Sequence, residues 1–315
     1  MSTVDAATGG ILARTWRNTI ESDFVYKFKR SPITIAAAIV TALIMSAALL
    51  APWIAPTNPF DVATLDLLDS EKPPVWLEGG DTRYLLGTDN LGRDVLSTIL
   101  YGSRISLMVG FASVAFSMIL GVGLGLISGY VGGAIDVIIM RIADIKLTFP
   151  AILIALLVDG VARTLIPREL HEDLAIPVVI FAIGISGWVQ YARTVRAMTM
   201  VEKAKEYVGA ARIIGASALF IMSRHILPNV AGPVLVIATI NLALAILTEA
   251  TLSFLGVGVP PTQPSLGTLI RIGNEFLYSG LWWITVFPSL TLAVLVLAVN
   301  LLGDFLRDAF NPKLR

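Results

Sequence analysis

Hydrophobic and polar positions are arranged along this chain in long blocks, not in short alternation. Ile33–Ile54, Ile105–Ile127, Ile176–Ala192 and Leu281–Leu302 carry no charge, and Gly232–Val257 carries one, Glu249. Each is near the roughly 20 residues that cross a bilayer as a helix. A further block, Ala134–Val158, is apolar but interrupted by Asp136, Arg141, Asp144 and Lys146. Its first half reads as amphipathic and close to a membrane surface, and the part from Phe149 as buried. The pattern predicts an all-α membrane protein with six transmembrane helices.

Between the blocks the chain divides simply. Residues 1–32 form a polar tail, 33–54 the first span, and 55–103 a polar loop rich in proline (Pro56, Pro59, Pro73, Pro74) with little regular structure expected. Residues 104–304 form a core of five spans, and 305–315 a second tail. Gly121, Gly125 and Gly129 recur at four-residue steps, which permits close approach of a neighbouring helix. Thr88 or Asp89 is placed to cap a helix leading into the second span, and Gly87 and Gly92 to form tight turns.

Composition supports a polytopic membrane protein: 56% of the 315 residues are hydrophobic and 15% are charged. Net charge is zero, so no global field favours nucleic acid. With the N-terminus inside, 16 of the 23 Lys and Arg residues fall on the cytosolic side, which puts both termini and the 193–228 segment there. The absence of cysteine removes disulfides, thiol catalysis and Cys-ligated metals.

Known catalytic and nucleotide-binding patterns fail on their own residues. No Lys follows a Gly, so a phosphate-binding loop is missing. His171-Glu172 is followed by Ala175 where a zinc peptidase needs a second ligand, and Gly184-x-Ser186 by Trp188 where a nucleophile elbow needs glycine. No catalytic, cofactor or metal site is expected. Inside the spans, Glu249 with Asn241 two turns earlier reads either as a translocation-path group or as a carboxylate hydrogen-bonded to neighbouring helices.

The polar segment from Glu206 to Asn229 reads as two short helical runs hinged at Gly215, a position suited to a left-handed C-cap. Tyr207, Ala210, Ala211 and Ile214 share one face. Ser217 can cap the second run and Pro228 suits the first turn of the next helix. Leu219 and Met222, one turn apart, are the apolar anchors for a partner groove, although packing within the chain would use them equally well. Such a segment is equally a plain connector.

Ala210-Ala211, Gly215 and Leu227-Pro228 also resemble the EAA loop of ABC-importer permeases, with Gly209 in place of Glu and His225 in place of the first Ile. Leu86-Gly-Thr-Asp-Asn-Leu-Gly-Arg-Asp94, Glu249-Ala-Thr-Leu-Ser-Phe-Leu-Gly256 and Asn300-Leu-Leu-Gly-Asp-Phe-Leu-Arg-Asp308 are similar to C-type subunits of the dipeptide/oligopeptide/nickel branch. The resemblance implies a type I permease fold in the cytoplasmic membrane of a bacterium or archaeon, with 200–229 as the coupling loop. It implies as partners a homologous permease, two ATPase subunits that hold ATP and Mg, and an extracytoplasmic substrate-binding protein. Peptides are the expected cargo; nickel complexes, glutathione and opine-like solutes fit the same branch. A secondary transporter or channel is the rival outside it, and would need more charged or unwound spans than Glu249 alone provides.

Overall fold

The computed structural model describes residues 26–61 and 65–310, the last of them by its backbone only. Residues 1–25 and 311–315 of the two expected tails lie outside the described residues. The helices are α1 Pro32–Leu49, α2 Ala51–Ile54, α3 Val95–Val131, α4 Gly133–Thr148, α5 Ala151–Leu165, α6 His171–Lys203, α7 Glu206–Ile213, α8 Leu227–Phe254, α9 Leu266–Phe276 and α10 Trp283–Phe310. Five helices are long and apolar enough to cross a membrane, or six if the bent pair α4–α5 is one span.

That bent pair differs from the single interrupted helix expected over Ala134–Val158. The two helices meet at 96° across Phe149–Pro150. Pro150 disfavours helical backbone at the residue before it, and Phe149 is extended (φ −100°, ψ 131°). Phe149 is also exposed rather than buried. The two carboxylates of α4 are held from α6: Arg196 Nη2 donates to Asp136 Oδ2 at 2.6 Å and Arg193 Nη2 to Asp144 Oδ1 at 2.5 Å.

α3 and α6 form the central pair, and the glycine stripe explains their closeness. A Cβ on Gly121, Gly125 or Gly129 would lie 2.4–2.7 Å from the backbone oxygens of Trp188, Ala192 and Arg196. Ser117 adds a hydrogen bond across the contact, its hydroxyl donating to the Gly184 carbonyl at 2.7 Å. Among the described residues four buried apolar clusters form the core: one around Val95, Leu266 and Trp283, one around Val109, Val179 and Leu252, one around Leu126, Val195 and Val230, and one around Ala143, Trp188 and Ala192.

The polar loop after the first span ends at Asp94, nine residues earlier than expected, because α3 extends beyond bilayer thickness. Asp94 is its N-cap, in place of Thr88 or Asp89, with Oδ2 accepting from the Ser97 amide at 2.8 Å and hydroxyl at 2.6 Å. Thr88 and Asp89 instead tie the loop to itself: the Thr88 hydroxyl donates to the Asp69 carbonyl, and Asp89 pairs with buried Arg93 at 2.6 Å. Trp283 Nε1 donates to the Thr88 carbonyl at 3.0 Å and so fastens this cap to α10. Gly87 and Gly92 have positive φ (82° and 74°), as their turns require.

Candidate functional site

At the end of the bundle opposite the cap, the chain between α6 and α8 forms a projecting bracket. α7 ends at Ile213, and Gly215, just past its C-cap Ile214, has a φ of 84° that lets the chain reverse at once. The Ala216 amide closes the turn onto the Ala211 carbonyl at 3.0 Å. Ser217 caps the next run, its hydroxyl accepting from the Phe220 amide at 3.3 Å. From Ala218 the chain passes through a π-helical turn, Ile221–Ile226, directly into α8, so the second run is the leading end of a long helix. Pro228 stands in the first turn of α8 and Leu227 packs inward.

The bracket is anchored by one apolar face and one polar ring. Val208, Ala211, Ile221 and Ile226 are buried in the same cluster as Leu126 and Val195, with Met222 packed against it. Glu202, buried at the end of α6, accepts from Lys205 Nζ at 2.6 Å and from the Tyr207 hydroxyl at 2.5 Å. Asn229 Nδ2 donates to that Tyr207 oxygen at 3.1 Å and to the His225 carbonyl at 2.8 Å. The His225 ring lies edge-on to Phe220 at 5.6 Å. The bracket is thus packed against α3, α6 and α8 at once.

Its outer surface carries an apolar patch among exposed polar residues such as Arg212 and Arg224. Ile213, Ile214 and Leu219 are 74–87% exposed, with Phe220 beside them half exposed. The inward face of α7 is Val208 and Ala211; of the residues expected to share a face with Ala211, Tyr207 reaches Glu202 and Asn229 with its hydroxyl, whereas Ala210 and Ile214 are exposed. Of the two expected anchors, Leu219 is outward and Met222 packs against the chain's own core. Gly209, at the position where the family pattern has Glu, faces open space.

Glu249 sits far from this bracket, completely buried near the other end of α8. Its Oε2 accepts from the Ser106 hydroxyl of α3 at 2.8 Å, and its Oε1 from the Ser253 hydroxyl at 2.7 Å. Ser106 Oγ also accepts the Leu266 amide, and Ser253 Oγ the Val259 amide. The carboxylate is the node of a network joining α3, α8, α9 and the 255–265 turn. Asn241 is not part of it; it lines a separate cavity at mid-bundle. Among the described residues, no group of three or more His, Asp or Glu could hold a metal ion.

A family model for the inner membrane component of binding-protein-dependent transport systems matches residues 121–315. Another, for the N-terminal TM domain of oligopeptide transport permease C, matches residues 22–74. The chain belongs to this permease family. The dipeptide transport system permease protein DppC of Haemophilus influenzae is 42% identical over 293 residues, covering 93% of this chain and 95% of that one. Di/tripeptide permease DppC of Pseudomonas aeruginosa is 39% identical, covering 93% and 92%, and the DppC of Escherichia coli K12 is 41% identical, covering 93% of each. A chain of the MetNI methionine ABC transporter, in an inward facing conformation, shares the fold at TM-score 0.52 and 19% identity, covering 67% of this permease and 96% of itself.

Two features of the permease escape a reading of its residues. The buried carboxylate that orders the bracket is Glu202, in the preceding helix, and within the charged run Glu202-Lys203-Ala204-Lys205-Glu206 nothing singles it out from exposed Glu206. The outward apolar pair Ile213-Ile214 follows an inward apolar set, so hydrophobicity alone does not say which face is covered.

Proposed function

We propose that this permease is one of two homologous membrane subunits of an ATP-driven importer of di- and oligopeptides. It contributes half of the translocation path in the cytoplasmic membrane, with both termini in the cytosol. ATP and Mg are held by two separate ATPase subunits. The bracket from Glu206 to Asn229 docks on one of them: Ile213, Ile214, Leu219 and Phe220 enter a groove, while Ala210, Ala211, Gly215, His225, Leu227 and Pro228 set its shape. The cap of residues 65–94 faces an extracytoplasmic binding protein that delivers the peptide.

The observation that carries this reading is the exposed apolar tip of a bracket whose base is buried among α3, α6 and α8. An apolar surface on an otherwise polar connector marks a partner site, and its rigid base allows a push there to reorient the spans. Identity of about 40% to dipeptide permeases along 93% of the chain supports the cargo. Co-purification after co-expression with the cognate ATPase subunits tests the assignment. The wild-type chain should retain the ATPases, and Ile213→Asp with Leu219→Asp should lose them while remaining in the membrane. Equal retention by both forms would remove the bracket from the mechanism.

A further inference from the structure

A cavity of about 300 Å³ lies at mid-length of α3, α6 and α8, beside the break between α4 and α5. Seven polar side chains line it: Ser113, Ser117, Lys146, Ser186, Gln190, Asn241 and Thr248. Three belong near the middle residue of a long helix, so the cavity is at hydrocarbon depth, where polar groups are costly unless used. Ser113 is fully buried, and its hydroxyl has no hydrogen-bond partner. Lys146 is half-buried, and among the described residues no carboxylate lies within ion-pair distance of it. Asp144, two residues away, is bound to Arg193. Ala151, the first residue of α5, also lines the cavity, and that helix start has no side-chain cap. An unpaired ammonium group and an uncapped helix N-terminus thus meet in one place, and both favour an anion.

We propose that this cavity receives the C-terminal carboxylate of a peptide in transit, with Lys146 as its cation and Ser113 as a hydrogen-bond donor. The inference rests on the peptide reading above. It supplies what that reading leaves open, the point on this subunit at which a free carboxyl terminus is held between the two sides. The cavity opens where Leu147, Gln190 and Leu244 are exposed, so a peptide need only lodge one end in it. Lys146 also stands in the last turn of α4, where a cation is stabilised by the helix C-terminus in the absence of cargo.

The chain has no native cysteine, so within this subunit charge can be removed and restored at this position alone, with the complex that lacks the substitution treated in parallel. In the complete complex, reconstituted with saturating binding protein and a labelled dipeptide, Lys146→Cys should reduce uptake about tenfold or more. Aminoethylation of that thiol restores an ammonium group and should restore uptake; a sulfonated reagent should not. Ser113→Ala removes a hydroxyl that has no partner in the empty state. It should leave the melting temperature unchanged within about 2 °C and still lower uptake severalfold. Uptake by Lys146→Cys at the wild-type rate, or equal effects of the two reagents, overturns the proposal. So does a lowered melting temperature of the empty Lys146→Cys complex that aminoethylation reverses, because Lys146 would then be paired with a carboxylate of the second permease. If the unsubstituted complex carries another solute but no dipeptide, the peptide reading fails and this site fails with it.

Discussion

Replacing Glu249 separates a structural carboxylate from one that handles cargo. Its two oxygens accept hydroxyl hydrogen bonds at 2.8 and 2.7 Å from Ser106 and Ser253, in a position with no exposed surface. Glu249→Ala removes both bonds, at about 1 kcal/mol each, and leaves a small void. The total is about 2–4 kcal/mol, which for a chain of this size lowers the melting temperature by roughly 5–10 °C. Glu249→Gln keeps shape and one acceptor, while its NH₂ can donate to a serine oxygen if that hydroxyl turns, so its cost is about 1 kcal/mol or less. The assay is thermal unfolding of the purified complex, followed by peptide uptake per assembled complex. Both variants should transport in proportion to the folded fraction. An Ala variant that melts like wild type, or a Gln variant that is folded and hydrolyses ATP but carries nothing, would refute the structural assignment.

Other expectations follow from the bracket and the cap. Gly215 has φ 84° with open space around it, so Gly215→Val is strained by its backbone alone, by about 1–2 kcal/mol; membrane insertion should persist while ATPase binding or coupling falls, and wild-type uptake would remove the hinge. In the cap, hydrogen bonds from Arg83 and Lys72 hold Asp81, and those from Lys72 and Tyr84 hold Asp69, below the usual carboxylate value of 3.8. A depressed carboxylate stabilises the fold above its unfolded value and loses that effect as pH falls. Amide protection across 65–94, corrected for intrinsic exchange, should therefore hold down to about pH 4 and decline only below it; loss between pH 7 and 5 would contradict the pairing. Leu68→Cys, at the most exposed part of the cap, should react with an impermeant reagent outside intact cells, and reaction only after permeabilisation would invert the orientation.

Much of this architecture is readable from the residues, and the exceptions have physical causes. The long apolar blocks, four without charge and one carrying only Glu249, mark five long helices because a lipid-spanning helix needs continuous apolar length. Gly121, Gly125 and Gly129 mark the contact with α6, since only glycine permits the observed approach. Gly215 and Ser217 mark the turn of the bracket because a reversal in one residue needs positive φ and a free N-terminus needs an acceptor. The bend at Phe149–Pro150 had its signal in the proline, but the apolar run on either side reads equally well as one helix. Asp94 was obscured by Thr88 and Asp89, which have the same capping chemistry and are taken up by the cap's own hydrogen bonds. The pairing of Lys146 with nothing, and its meeting with Ser113 and Asn241, depends on tertiary contacts between residues up to 128 apart in number, which no local pattern records.

The function proposed for this chain is ATP-driven peptide movement through it and its partner subunits. The most direct test is uptake of a labelled dipeptide into proteoliposomes holding both permeases and both ATPases, with loaded binding protein added on the extracytoplasmic side. Accumulation that requires hydrolysable ATP, and that is abolished by Ile213→Asp with Leu219→Asp in the bracket, is the predicted result. Equal accumulation with a non-hydrolysable analogue, or with the bracket variant, would contradict it.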